Sequence, residues 1–216
     1  MDKPENSSYK YDSEKKLVEI YRNEKNYPEA LKMAEKMLKD YGAQAEKDGI
    51  PALKAELVAL NAGADEEILK KEREFEKAGG IKTKNGRVIG TELAEIYSKR
   101  AAMTEKAEKL ASEIFEIQKN AEDESALAGK NALLLGEVFR FKNKNLESAR
   151  MFLSAAEYCR KGGETLLAER SLYGAAEAFD AAGKKADAVS TAEALQSLYP
   201  ESPYVTEIQR VLKNAE

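Results

Sequence analysis

The stretch "GKKADAVSTAEALQSLYPESPY" (183–204) decides the fold. Its Ala188 and Ala192 are four residues apart, so on a helix they share one face, one turn apart. Small side chains at that spacing let a second helix lie close, and Phe179, upstream, supplies the volume opposite. The turn around Gly183 opens the helix that carries them. Pro200 stops it, because proline cannot continue an interior helical hydrogen-bond ladder and biases Tyr199 away from helical angles. The expected unit is a hairpin of two closely packed helices. Ser202 can cap a further helix, and Pro203 can occupy its first turn.

The same pattern persists outward along the chain. Pro and Gly are sparse, Ala, Glu, Lys and Leu dominate, and helix-period patterning replaces strand alternation almost everywhere. The spacing predicts helices near 12–25, 28–41, 46–61, 65–78, 88–101, 103–120, 122–142, 146–161, 164–182, 185–198 and 202–214. Helix should therefore exceed about 60% of the chain, against a base rate of about one third. "NAGAD" (61–65) predicts a break between two helices, with Gly after one and Asp opening the next. "KAGGIKTKNGR" (77–87) is the longest non-helical piece, and its Asn85-Gly86 allows a short hairpin. The expected fold class is all-α, with residues 1–11 as a flexible polar leader and 12–216 as a single domain. Within that domain, 43–88 forms an irregular helical pair and loop.

Three segments repeat the turn-then-alanine arrangement. "NEKNYPEALKMAEKMLKDYG" (23–42) carries Ala30, Ala34 and Met37; "FKNKNLESARMFLSAAEYCRKG" (141–162) carries Ala149, Leu153 and Ala156; "AAGKKADAVSTAEALQSLYP" (181–200) carries Ala188, Ala192 and Leu195. Upstream of them lie Tyr21, Phe139 and Phe179, and before those Leu17-Val18, Leu135-Gly136 and Ala175-Ala176. This resembles the tetratricopeptide repeat, a family of helical hairpins repeating about every 34 residues. Residues 169–200 match best, 11–42 and 129–161 less well, and 88–120 less again, so the likeness covers roughly two thirds of the chain. There is no Trp, and the family's large first-position residue is missing or replaced. The resemblance implies a superhelical array of antiparallel hairpins, a TPR-like α-solenoid, whose concave face binds a peptide or a partner protein.

The family's groove positions fall on Lys130, Leu133, Leu134, Glu137, Arg140 and Phe141, and on Arg170, Tyr173, Glu177 and Asp180. In the first repeat they are Lys15, Glu19, Arg22 and Asn23. Glu19 and Glu137 stand where chaperone-binding members carry the Asn of a carboxylate clamp, so no clamp is expected. A mixed-charge groove remains, with Tyr173 and Phe141 as anchors.

Composition narrows the chemistry. The chain has 216 residues and no His, which removes the commonest general base and every Ser-His or Cys-His nucleophile. One cysteine, Cys159, makes neither an intrachain disulfide nor a zinc cluster, and its expected role is a small buried apolar residue. "AGKN" (128–131) and "AGKK" (182–185) lack the upstream Gly and the hydroxyl of a phosphate loop. Acidic runs at 65–67 and 122–124 fall at predicted helix starts, where they complement the positive helix end. No acidic pair is singled out for catalysis, so no enzyme and no cofactor or metal is expected, and a transferase or hydrolase using an acidic pair stands as the last of three readings. A net charge of -4 argues against a nucleic-acid partner. No segment has the apolar length of a membrane span.

As written, the sequence suggests a cytoplasmic protein. The join "LYPESPYV" (198–205) nevertheless resembles the Tyr-Pro-x-Ser-x-Tyr junction of repeats in bacterial envelope proteins of the barrel-assembly and Tol–Pal type. Together with the polar leader, that likeness raises an envelope assembly factor, periplasmic or lipid-anchored, as the second reading.

Overall fold

The computed structural model describes residues 4–213. Among these are ten α-helices and no strand. They are α1 (Pro4–Asn23), α2 (Tyr27–Lys47), α3 (Ile50–Lys77), α4 (Lys84–Ser98), α5 (Thr104–Gln118), α6 (Ser125–Phe141), α7 (Asn145–Lys161), α8 (Thr165–Ala181), α9 (Lys185–Leu198) and α10 (Tyr204–Lys213). The outermost residues of the expected leader and of the last helix, 1–3 and 214–216, lie outside the described range. The chain divides into two compact units, where the sequence suggested one domain. One holds Met1–Glu74 with Lys99–Met103, the other Phe75–Ser98 with Thr104–Glu216.

The larger unit is built from one repeated device. The connections after α6, α7 and α8 each hold one residue in the left-handed region: Asn143 (φ 57°), Gly163 (77°) and Gly183 (72°). The next residue then returns its N–H to a carbonyl of the last helical turn. Lys144 donates to Phe139 at 2.9 Å, Glu164 to Cys159 at 2.8 Å and Lys184 to Phe179 at 2.9 Å. This is a Schellman closure, which satisfies carbonyls a helix end would leave unpaired. The turn is short, so consecutive helices run antiparallel and pack on each other.

Helices α6 to α9 start at Ser125, Asn145, Thr165 and Lys185, twenty residues apart, so a hairpin recurs every forty residues rather than every 34. On this spacing Phe139 and Phe179 coincide. The partners of Ala188, Ala192 and Leu195 then become Ser148, Phe152 and Ala155, one residue before those aligned from sequence. Burial agrees with the shifted register: Phe152 is buried and Leu153 is exposed. Phe152 replaces the expected small residue because its neighbours shrink to receive it. A Cβ on Gly136 would stand 2.6 Å from its ring, and one on Gly174 3.2 Å. Ser148 Oγ donates to the Gly136 carbonyl at 2.7 Å, which ties the same two helices.

The core of this unit is alanine-rich. Ala111, Ala132, Ala149, Ala175, Ala188 and Ala192 are fully buried, with Phe115, Leu135, Phe152 and Phe179 filling the gaps. Cys159 is among the buried residues, its Sγ facing Gly129, and burial pushes its thiol up to about 11. Such a thiol is inert, in keeping with a packing role. At Ala188, added methylenes would force α8 and α9 apart. Ala188→Leu should therefore cost about 1–3 kcal/mol in a urea titration. Lys185→Ala, which removes an exposed ion pair to Asp180, should stay within about 0.5 kcal/mol of wild type.

The smaller unit centres on the hairpin α1–α2, whose turn repeats the device with Lys25 at φ 59° and Asn26 donating to the Tyr21 carbonyl at 2.8 Å. Val18, Ala30, Ala34, Met37, Ile50 and Leu57 form its core. Tyr11 packs edge-on against Tyr41 at 5.0 Å and donates to Asp48 Oδ2 at 3.0 Å. Burial and that hydrogen bond push the Tyr11 hydroxyl up to about 12.

Four local expectations change. Helix begins at Pro4, inside the suggested leader. The break expected between 41 and 46 is a kink at Gly42 (φ 35°), and the chain turns only at Gly49 (φ 77°). "NAGAD" lies within α3, which continues through Gly63. Asn85-Gly86 makes no hairpin: Thr83 takes an extended conformation and its Oγ1 accepts from the Gly86 N–H at 2.9 Å, capping α4.

Candidate functional site

Alternate helices of the larger unit also touch: α4 meets α6, α6 meets α8, and α8 meets α10. The predicted groove residues on α6 and α8 therefore stand on neighbouring helices, and five of the ten form ion pairs between one hairpin and the next. Glu137 pairs with Arg170, Arg140 Nη1 lies 3.7 Å from Glu177 Oε2, and Lys130 Nζ lies 3.1 Å from Glu164 Oε1. Each pair joins positions 33 to 37 residues apart, close to one hairpin repeat. Tyr173 donates to Glu177 Oε1 at 2.7 Å, and its ring stacks on Tyr204 of α10 at 5.1 Å and 21°. The Arg140 guanidinium also lies 5.7 Å from the Phe152 ring centroid.

Three candidates behave differently. Leu134 is 5% exposed and belongs to the core, so it presents no surface to a partner. Helix α6 is apolar at 132–135, and a single-face reading of that run cannot separate inner from outer leucines; Leu133 is buried as well. Phe141, the last residue of α6, is 67% exposed and stands outside the ion-pair ladder. Asp180 pairs with Lys185. In the smaller unit, Lys15 pairs with Asp48 and Arg22 with Glu56. Sequence reasoning missed Tyr204 and Glu164. Tyr204 was absorbed into the Pro200–Pro203 join, although its place opening the next helix put it on α10, which packs against α8.

The wall is thus a ladder of opposite charges flanked by an aromatic stack. Its cations and anions are matched to each other, so it is not a strongly charged trough. Its exposed ion pairs contribute little stability individually. They bridge successive hairpins, and the partly buried, stacked Tyr173–Tyr204 pair stands beside them.

A second polar cluster is buried where α4, α5 and α6 meet. Arg87 on α4 grips Glu124, just before α6, with two nitrogens: Nε donates to Oε2 at 2.8 Å and Nη2 to Oε1. Only 11% of the Arg87 side chain and 4% of the Glu124 side chain are exposed. Asn131 Nδ2 donates to Thr91 Oγ1 at 2.8 Å and to Gln118 Oε1 at 3.0 Å. The Arg87 guanidinium holds the Glu124 carboxyl below the usual range. Because the folded value is depressed, the stabilisation is present above the unfolded value of about 4.3 and is lost as pH falls through the folded one. The urea midpoint of the wild type should drop with acid over that interval more steeply than that of Glu124→Gln.

Among the described residues, no group of three or more Cys, Asp or Glu could hold a metal ion, and no helix is long and apolar enough to cross a membrane. No protein-family model matches the sequence, and no curated protein matches it significantly.

Proposed function

We propose that the larger unit is a TPR-like α-solenoid and that the layer α4–α6–α8–α10 is a non-catalytic face that binds a peptide or a partner protein. The observation that carries this reading is the contact of every second helix with the next, α4 to α6 to α8 to α10, together with the forty-residue recurrence of helix and turn. Such stacking is how repeat proteins build an extended binding surface. The forty-residue period, longer than the family's 34, makes this a divergent array.

Tyr173 is the anchor of the proposed face: a rigid apolar ring with a polar tip, of a residue type enriched at binding hot spots. A photo-crosslinking residue placed at 173 should capture the partner, and one at the exposed Leu153 of α7 should not. With that partner in hand, Tyr173→Ala should weaken binding by about 1–2 kcal/mol or more. Arg170→Glu would oppose Glu137 and disturb the wall itself, so its control is the charge swap Arg170→Glu with Glu137→Arg, which rebuilds the pair in reverse. Capture from position 153 with none from 173 would move the interface off this layer.

A further inference from the structure

The first half of α4, "KNGRVIGT" (84–91), is a poor helix by sequence. Gly86 and Gly90 are weaker helix formers than Ala, and Val88, Ile89 and Thr91 are β-branched. Both glycines are imposed by packing. A Cβ on Gly86 would fall 1.9 Å from the Gly80 carbonyl oxygen, and one on Gly90 2.7 Å from Ile114 and 2.8 Å from Phe75. The segment cannot raise its own helicity without losing its seat, so its order comes from outside. Besides the Thr83 cap, the Arg87 Nη1 bond to the Ile81 carbonyl at 3.1 Å and the packing of Gly90 on Ile114 and Phe75, three polar attachments hold it: Arg87 to Glu124, Lys84 to Asp123 at 2.6 Å, and Thr91 to Asn131. All three holds lie on one side, at the start of α6.

We infer that residues 84–91 form a latch-held segment, which opens locally when the Arg87–Glu124 attachment is broken while α6 to α9 remain folded. The later helices have no comparable dependence, since α6 to α9 are seated by buried alanines, leucines and phenylalanines. The groups facing the Glu124 carboxylate are Arg87 and Lys84 from α4, Asp123 beside it and the Gln118 amide from α5, which in turn accepts from Asn131 of α6. Neutralising Glu124 removes the paired counter-charge of the buried Arg87 and leaves it only the Asp123 charge and the Ile81 carbonyl, which is a penalty for a buried cation. Opening the segment returns Arg87 to water and relieves it. Opening would also withdraw the first half of α4 from the α4–α6 contact, making that end of the helical layer conditional on the latch.

The test is native-state amide exchange on the full chain, read by peptide. In Glu124→Gln at pH 7, the protection of 84–91 should fall at least about tenfold, with α6 to α9 unchanged. Wild type brought to acid should reproduce the same local loss before the later helices respond. Asp123→Asn, a milder change at the exposed attachment, should give a smaller loss in the same peptide and guards against a Glu124 variant that fails to fold. Loss spread equally over α4 and α6 to α9 in these variants, or unchanged protection of 84–91, would overturn the inference.

Discussion

Phe152→Ala should lower the stability of the larger unit by about 3–5 kcal/mol, read as a shift in the urea midpoint at constant slope. The ring is 2% exposed and lies against Gly136 of α6 and Gly174 of α8. Truncation there leaves a void bordered by two residues with no side chain to move into it. Collapse would require three helices to approach one another, and close-packed helix backbones resist that. A cost in the low half of the range would mean that α6 and α8 close on α7 more readily than the glycine contacts imply. Phe152→Leu, which keeps part of the volume, should fall between wild type and the alanine variant.

The second large effect is expected at Gly129. Replacing a helical glycine by alanine ordinarily gains about 1 kcal/mol. Here the new Cβ would stand 2.5 Å from Cys159 Sγ and 2.7 Å from the Cys159 backbone nitrogen. A sulfur can be removed by mutation; a backbone nitrogen cannot. Gly129→Ala should therefore destabilise by about 2–3 kcal/mol despite its better propensity. The double variant with Cys159→Ala should recover only part of the loss. Full recovery in chemical denaturation would show that the sulfur alone sets the α6–α7 distance.

Which parts of this were legible in the sequence follows from how each signal arises. The helices from α5 onward could be read because Gly163, Gly183 and Pro200 punctuate a helical period, and those residues act locally. Gly63 was misread because the same residue type is a stop only where the chain turns, and a lone glycine inside a long helix costs little enough to be tolerated. The register of α7 slipped because the alignment followed Ala149, a residue type, whereas packing follows position. Phe152 occupies a small-residue slot because Gly136 and Gly174 vacate the space, a compensation between distant residues that no single helix displays. The wall was visible as residues but not as bonds: Arg170 and Glu137 were both picked out, and their pairing depends on the approach of α6 and α8. The Arg87–Glu124 latch was missed because an acidic run at a helix start already has an adequate local explanation in the helix dipole.

The recurring turn has a kinetic consequence. Since each helix of the larger unit from α5 onward packs on the one before it, the bonds that tie these helices are short in sequence: Arg170 to Glu137 spans 33 residues, Arg140 to Glu177 37 and Asn131 to Thr91 40. Closing loops of that size costs little chain entropy, and the cost does not grow as more hairpins are added. The larger unit should accordingly behave as a low-contact-order chain, able to nucleate at any one hairpin and extend to its neighbours, with refolding in the microsecond-to-millisecond range of helical proteins.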